Sequence, residues 1–364
     1  MKQIANNNWL LRQPTQRYPV MGWPPAECPL LPAPQPRKWA LELLFGGRLY
    51  WRLSACLGPK LESLNMSRKT VKAVRDATRK SGGATLTKDN RSAALNKFFY
   101  VMQKQLNIQV KSFSTLKTSQ VQAYVDHLKQ EGLKTRSIQN VLAHIRQALG
   151  SVNRGHFADS VSMSNKALGV SGASRDGTHR ALTSLQYQAV LAATRATDPG
   201  AACCVELQRE LGLRERESIQ SPPSLKAWLK ALKAGLPSQV LHGTKGGRPR
   251  WLAVIDKSRA IRAVETAMQV AKAQGGQLIT ARNLEAAAKA YGRACEKVGL
   301  KGQYASHCLR CTYALDRYEM YMAIHGDKRE ALAAVSVDLG HGDGRGTYVA
   351  QVYLKNPPME LPMT

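Results

Sequence analysis

Apolar residues recur at helical spacing along most of the chain after about residue 66. The triplet Val71, Val74 and Ala77 has a three-residue period. A wider apolar stripe follows within residues 87–106; its members are Ala94, Leu95, Phe98, Phe99 and Met102. Such spacing places apolar side chains on one face of a helix. The pattern therefore predicts amphipathic helices at the start of this region.

The following stretch carries helix-start and helix-stop signals. Thr118 and Ser119 precede the apolar-periodic run VQAYVDHLKQ, and Gly132 follows it. Thr135 or Ser137 is a suitable residue to open the next run, IQNVLAHIRQALG. Hydroxyl residues favour helix N-termini and glycine favours C-termini. We predict about four short helices in residues 66–150, with basic polar faces.

Hydrophobic periodicity is lost over residues 151–180, which are rich in Ser, Gly, Asn and Asp. This composition is typical of a linker. A second domain is predicted over residues 181–356, with a helix opening at Thr183 and a break at Pro199-Gly200. Residues 201–220 are expected to be helical with one internal glycine. Residues 257–300 are expected to be helical, interrupted at Gly275-Gly276.

One segment has the alternation of strands. In residues 239–254, two short apolar runs flank the pair Gly246-Gly247. A glycine turn between apolar runs predicts a β-hairpin. The fold class is therefore mainly α with one small β-sheet or hairpin.

The first 65 residues differ in composition from the rest. They hold nine of the 17 prolines and four of the six tryptophans. Proline fixes φ and removes a hydrogen-bond donor, so a long helix is excluded there. We expect a poorly ordered extension, with Met66 resembling a natural start; a partner-binding arm is the alternative. Residues 357–364 are expected to be a tail.

The charge balance limits the classes of molecule that the protein is expected to bind. The chain has 53 Lys and Arg against 25 Asp and Glu, a formal net charge of +28. This excess favours a polyanion, above all nucleic acid, over a membrane surface. No run approaches the roughly 18 apolar residues that span a bilayer, and no secretory signal is evident. Seven cysteines without a regular framework indicate reduced thiols, and hence a cytoplasmic setting.

Candidate chemistry is concentrated in residues 303–353. His307 and Arg310 lie three apart on a predicted helix, so they share one face. His341 follows at a glycine turn, and Tyr353 lies beyond it. Histidine, arginine and tyrosine together suggest chemistry on an anion, with a phenol as the nucleophile.

These motifs resemble the tyrosine recombinase, or phage integrase, family. His307-Cys-Leu-Arg310-Cys-Thr resembles its HxLRxT box, and Leu-Gly-His341 followed by a tyrosine resembles the end of its signature. Residues 212–217, GLRERE, resemble its GLRxxE box, and residues 239–254 resemble the hairpin that carries its catalytic lysine. The resemblance covers residues 66–354. It implies a helical SAM-like core-binding domain at residues 66–150 and a catalytic domain at residues 181–356.

The resemblance also implies a role for each matched residue. Arg214 and Arg310 would grip the scissile phosphate, Lys245 would protonate the leaving 5′ oxygen, and His307 would accept or relay the tyrosine's proton. His341 would hydrogen-bond the phosphate, and Glu217 would orient its neighbours. Beside Lys245, Arg248 and Arg250 are expected to contact the DNA backbone.

The nucleophile has two candidates. Relatives place the tyrosine about nine residues after the LGH histidine, which here is Ala350. Tyr348 comes earlier and Tyr353 later. We favour Tyr353, because Gln351-Val352-Tyr353-Leu354 resembles the usual ending of the motif; Tyr348 is the alternative. If neither tyrosine reached the phosphate, the protein would be a non-catalytic DNA-binding protein derived from an integrase.

The implied reaction is site-specific recombination. The tyrosine forms a 3′-phosphotyrosyl link with attachment-type sites in double-stranded DNA, and a second strand reverses the step without ATP, metal or other cofactor. Four protomers on two duplexes, with a bacterial or phage origin and a nucleoid location, are implied likewise, and no small-molecule substrate is expected. Cys308-x-x-Cys311 lacks a second ligand pair at workable spacing, so no metal site is predicted.

Overall fold

The computed structural model describes residues 68–83 and 85–359. Helices dominate this part of the chain, and the single sheet found in it has two strands. The prediction of a mainly α fold with a small hairpin is confirmed. The expectations for residues 1–65 and for the last residues of the tail lie outside the described part.

The described residues of the first half form five α-helices: α1 Arg68–Lys80, α2 Thr85–Tyr100, α3 Thr118–Gln130, α4 Thr135–Ser151 and the short α5 Gly155–Ala158. Their apolar faces share one core, in which Leu95, Phe98, Phe99 and Met102 of the predicted stripe are buried. Phe98 and Phe99 pack edge to face, with ring centroids 5.3 Å apart. Helix α2 continues into a π-helical turn, Val101–Gln105, which carries Met102 into the same core.

The linker is shorter than the sequence pattern indicated. Met163, Leu168 and Val170 are buried against the first helical core, and Arg146 of α4 donates hydrogen bonds to the Met163 carbonyl. Residues 155–170 therefore pack with the first bundle. Only the stretch after them, up to about residue 181, connects the two cores. Side-chain spacing could not reveal this packing because the buried residues follow no regular period.

The second half begins with four helices: α6 Ser184–Thr197, α7 Pro199–Leu211, α8 Glu215–Ile219 and α9 Pro222–Ala234. Thr183 caps α6 through a hydrogen bond from the Gln186 amide, as the sequence predicted. Helix α7 is buried along nearly its whole length. The continuous helix expected over residues 201–220 is not present, because Gly212 adopts φ 59° and ends α7.

A hairpin and five further helices complete the described chain. Strands β1 Gln239–Val240 and β2 Arg250–Trp251 pair antiparallel. The helices are α10 Lys257–Ala273, α11 Leu284–Lys297, α12 His307–His325, α13 Lys328–Asp338 and α14 Gly346–Val352. The last three enclose a small core of their own. No helix in the described ranges is long and apolar enough to cross a membrane.

Candidate active site

The candidate residues come from helix ends and turns of the second half. Arg214 lies in the turn between α7 and α8, as the N-cap residue of α8. His307 and Arg310 occupy the first turn of α12. His341 lies in the turn between α13 and α14, and Tyr353 is the C-cap residue of α14. The fold thus brings together residues that are up to 139 positions apart, from Arg214 to Tyr353.

Glu217 is the buried anion that organises two arginines. Its carboxylate accepts hydrogen bonds from Arg214 Nη1 at 2.5 Å and Arg250 Nη2 at 2.9 Å, and the side chain has no exposed surface. Burial by itself raises the pKa of Glu217. The charges of Arg250 and Arg310 outweigh that effect and hold the pKa at about 2. Glu217 is therefore ionised, consistent with an orienting residue.

Arg250 is buried in this structure rather than exposed for the expected contact with the DNA backbone. Its guanidinium is buried and donates to Glu217, to the Gly212 carbonyl at 3.0 Å and to the Asp338 carbonyl at 3.2 Å. A side chain so engaged is not available at the surface of the free protein. The sequence suggested exposure because Arg250 follows a basic turn, whereas the strand pairing directs it inward.

Two backbone carbonyls orient the arginines further. Arg310 donates to the carbonyls of Gly212 and Leu339, and Arg214 donates to the Leu339 carbonyl at 3.1 Å. A guanidinium has five donors in a fixed plane, so shared acceptors fix its orientation. Arg214 and Arg310 are thereby held on a common carbonyl, next to the same buried carboxylate.

Tyr353 lies on this arginine cluster. Its hydroxyl is 3.0 Å from His341 Nε2 and 3.5 Å from Arg310 Nε. Only 3% of Tyr353 is exposed, against 38% of Tyr348. The Tyr348 ring instead packs against the His341 ring, with centroids 5.0 Å apart. Of the two candidate nucleophiles, only Tyr353 has its hydroxyl in hydrogen-bond contact with the predicted site residues.

Both site histidines are neutral at pH 7. Burial and the charges of Arg310 and Arg214 lower the pKa of His341 to about 4. Burial, the nearby His179 and Arg310 lower the pKa of His307 to about 3. The His307 ring packs on the Tyr353 ring, with centroids 5.3 Å apart. The family resemblance implies that His341 hydrogen-bonds the phosphate. In this structure, His341 is the histidine within hydrogen-bond distance of the tyrosine hydroxyl.

The hairpin residues lie at the edge of this arrangement. Lys245 and Arg248 are exposed in the turn between β1 and β2. The positive charge of Lys245 contributes to the lowered pKa of His341, so the lysine is near the cluster without a direct bond to it. At Gly243 the hairpin backbone packs closely against that of α8. A Cβ at position 243 would lie 2.4 Å from the Arg216 carbonyl oxygen, so this approach requires glycine.

Three features were not foreseen from the sequence. Arg317 of α12 pairs with Asp338 at the end of α13, with 2.6 Å between Nη2 and Oδ2, and this fixes the chain just before Leu339. Arg250 serves as the buried partner of Glu217. His179 packs against His307, with ring centroids 5.1 Å apart. His179 had no local signal, because it lies in a stretch without periodicity.

The cysteines near the site do not form a metal centre. Cys308 and Cys311 are both buried, and Cys308 donates to the Tyr304 carbonyl. Burial raises the pKa of the Cys311 thiol to about 12. Within the described residues, no group of three or more His, Cys, Asp or Glu side chains is placed to hold a metal ion.

The arrangement has an excess of positive charge. Three arginines, Arg214, Arg250 and Arg310, surround one carboxylate, that of Glu217, and Lys245 adds a further positive charge. Such a site favours an anion, and its fixed donors can stabilise charge that develops during a reaction. A tyrosine hydroxyl bonded to a neutral imidazole is a nucleophile beside a proton acceptor.

Two family models match parts of the chain. A family model described as "Integrase" matches residues 169–316, and one described as "Phage integrase, N-terminal" matches residues 66–158. The integrase match ends before His341 and Tyr353. No curated protein matches the chain.

Two solved structures are similar in fold. A lambda integrase dimer bound to a COC′ core site is 16% identical, with a TM-score of 0.52, covering 90% of this chain and 88% of that one. The Tn1549 transposon integrase in complex with transposon right end DNA is 15% identical, with a TM-score of 0.51, covering 78% of this chain and 94% of that one.

Proposed function

Because the chain belongs to the tyrosine recombinase, or phage integrase, family, we propose that it cleaves and rejoins DNA strands by attack of the Tyr353 hydroxyl on a backbone phosphate. One observation carries the choice of nucleophile: the Tyr353 hydroxyl lies 3.0 Å from His341 Nε2 and beside Arg310. The bond formed is a 3′-phosphotyrosyl ester. The bond broken is that to the 5′ oxygen, which leaves as a hydroxyl group.

Each step has a group to perform it. Neutral His341, 3.0 Å from the Tyr353 hydroxyl, takes its proton in this proposal, and His307 packs on the tyrosine ring. Arg214 and Arg310, oriented by Glu217 and two carbonyls, stabilise the charge of the pentacovalent phosphate. Lys245, on the exposed hairpin turn, donates the proton to the 5′ oxygen.

In the free protein, Tyr353 closes the site to a DNA phosphate. Arg310 has no exposed surface, and its guanidinium carbon lies 5.9 Å from the centre of the Tyr353 ring. A DNA phosphate can reach Arg310 only if the Tyr353 side chain shifts. We propose that substrate binding supplies this movement, since the phosphate offers Arg310 an ionised partner in place of a phenol.

The partner is double-stranded DNA with attachment-type sites. The net charge of +28 supports it, as do the lambda and Tn1549 integrases, whose structures hold DNA. Residues 66–150, with the further stretch packed on them, would clamp DNA opposite the catalytic domain. Self-association on DNA, as in the lambda dimer, is expected, with a tetramer as the active form and the nucleoid as the place of action.

The decisive experiment is covalent trapping on a nicked suicide DNA substrate, taken from DNA flanking the gene. Wild type is expected to form a protein–DNA adduct that survives denaturation, and Tyr353→Phe is expected to form none. Tyr348→Phe is the matched control, because it removes the nearest other phenol and should leave the adduct intact.

Adduct loss only in Tyr348→Phe would transfer the nucleophile to that residue. A wild-type protein that binds the same DNA tightly but forms no adduct would overturn the cleavage mechanism.

A further inference from the structure

A third histidine, His179, reaches the site from the segment that joins the two halves. Its ring packs edge to face on His307, with centroids 5.1 Å apart, and His307 packs in turn on Tyr353. Contacts at 4.5–7 Å between ring centroids are favourable for such pairs. The three rings form a row that ends at the proposed nucleophile.

The backbone on both sides of His179 is fixed to the C-terminal segment. The Gly177 amide donates to the Gln351 carbonyl at 2.9 Å, and the Ala181 amide donates to the Asn356 carbonyl at 3.1 Å. The Asn356 side-chain amide donates to the carbonyls of Gly177 and His179. These bonds bracket Tyr353, so His179 and the nucleophile are held by the same set of contacts.

Gly177 leaves no room for this segment to move closer. A Cβ at position 177 would lie 1.9 Å from the carbonyl oxygen of Val352, the residue before Tyr353. The Arg180 amide also donates to the Gln303 carbonyl at 2.9 Å, just before α12. The connecting segment therefore lies between two parts of the chain: the segment around Tyr353 and the segment that precedes His307.

The His179 ring retains a hydrogen-bonding group that folding has not used. Its Nδ1 is buried and has no hydrogen-bond partner among the described residues. A buried imidazole nitrogen without a partner carries a desolvation cost. The ring also interacts with the Gln303 backbone and packs on His307.

We infer that His179 is a positioning residue for DNA cleavage and that it holds the His307 imidazole against Tyr353. This inference rests on the proposed function. Among the described residues, no hydrogen bond joins the His179 ring to the tyrosine hydroxyl or to the site arginines, so it acts through its contact with His307. Without it, the His307 ring would lose one of its packing partners. The nucleophile would then be less well fixed for attack.

Cleavage rates on the suicide substrate test this inference. His179→Ala is expected to slow adduct formation by about 10²-fold, the loss that a misplacement of 1 Å can cause, with DNA affinity unchanged. His179→Phe keeps the ring contact and is expected to restore most of the rate. His325→Ala, which removes an exposed histidine at the far end of α12, is the control and should match wild type.

Histidine NMR on the full chain without DNA gives a second readout, independent of cleavage. The groups around His307 are His179 from the connecting segment, Arg310 on its own helix, Arg214, His341 and Tyr353. Since burial and His179 both lower its pKa, the pKa of His307 should rise in His179→Ala. A purely structural residue elsewhere would leave this titration unchanged.

The outcomes separate the two proposals. Wild-type cleavage with an equally fast His179→Ala, or with an unaltered His307 titration, would refute the role of His179 and leave the recombinase mechanism standing. Parallel loss of DNA affinity and cleavage in both variants would make His179 a DNA contact and also refute it. Absence of the wild-type adduct would remove the proposed function and this inference together.

Discussion

Glu217 shows how one buried side chain sets the chemistry of its neighbours. It has no exposed surface, yet it is ionised because Arg214 and Arg250 both donate to it. Removing the partner of a buried charge costs about 3–5 kcal/mol, since the remaining ion stays desolvated. The carboxylate therefore contributes to stability and to the orientation of Arg214.

The substitution Glu217→Gln should destabilise the protein at pH 7 by about 3–5 kcal/mol, because Arg250 is left without an ionised partner. The pH dependence has a defined sign. The pKa of Glu217 is about 2 in the folded protein and about 4.3 in an unfolded chain. Its contribution is therefore complete above about pH 4.3 and is lost as the pH falls towards 2.

Urea unfolding at pH 7 and at pH 3 measures both effects. Glu217→Gln should show a smaller loss of stability between these pH values than wild type. Glu285→Gln, which removes an exposed partner of Arg216, should change little at either pH. Equal acid sensitivity in wild type and Glu217→Gln would contradict the assignment of an ionised Glu217.

At the scale of elements, the turn between α13 and α14 aligns the site. Its Leu339 carbonyl receives Arg214 and Arg310, and His341 follows two residues later. The turn is fixed by Gly340, whose φ of +67° favours glycine. It is fixed also by the Asp338 carboxylate, which pairs with Arg317 of α12.

Gly340→Ala should therefore impair both folding and cleavage. A Cβ at that position would lie 2.7 Å from Cδ of the buried Arg250, so the turn or the arginine must shift. We expect a destabilisation of about 1–3 kcal/mol from the strained backbone alone, with a further loss from the clash. Adduct formation should slow because the Leu339 carbonyl moves with the turn.

Gly342→Ala is the matched control for this prediction. Its φ of +80° imposes a similar backbone strain, but nothing lies within 4 Å of the added Cβ. Unfolding and adduct kinetics of both variants isolate the effect of the clash with Arg250. If the two alanine variants had equal stability and equal cleavage rates, the turn would not have the proposed role in the site.

For the whole molecule, charge is the dominant property. A net charge of +28 on 364 residues is compatible with tight binding to DNA phosphates, which release counterions when they are neutralised. The buried arginines of the site take little part in this effect in the free protein. Exposed residues such as Arg248 are expected to supply it.

DNA affinity should therefore fall steeply with salt. With six to ten phosphate contacts, the loss between 50 and 200 mM salt would be about 10³–10⁵-fold. Arg248→Ala should lower the slope of log affinity against log salt by about one and leave the cleavage rate of bound DNA unchanged. Fluorescence anisotropy with labelled DNA measures the slope. An affinity insensitive to salt would contradict a phosphate-dominated interface.

The sequence by itself determined the class of the fold and supplied the candidates for the reacting groups. Helical periodicity depends on local spacing, so the helices of residues 68–151 and the cap at Thr183 were predictable. The short motifs around Arg214, Arg310 and His341 carried the family resemblance, because they occur along this chain in the same order as in the family.

Only the tertiary structure decided which groups touch. Arg250 turned inward to Glu217, and His179 joined the site from a stretch without periodicity. The hydroxyl of Tyr353, rather than that of Tyr348, came within hydrogen-bond distance of His341 and Arg310. Each of these contacts either joins residues that are distant in the sequence or depends on which face of a helix a residue occupies. Burial and packing select among such alternatives, and no local pattern of residues records their choice.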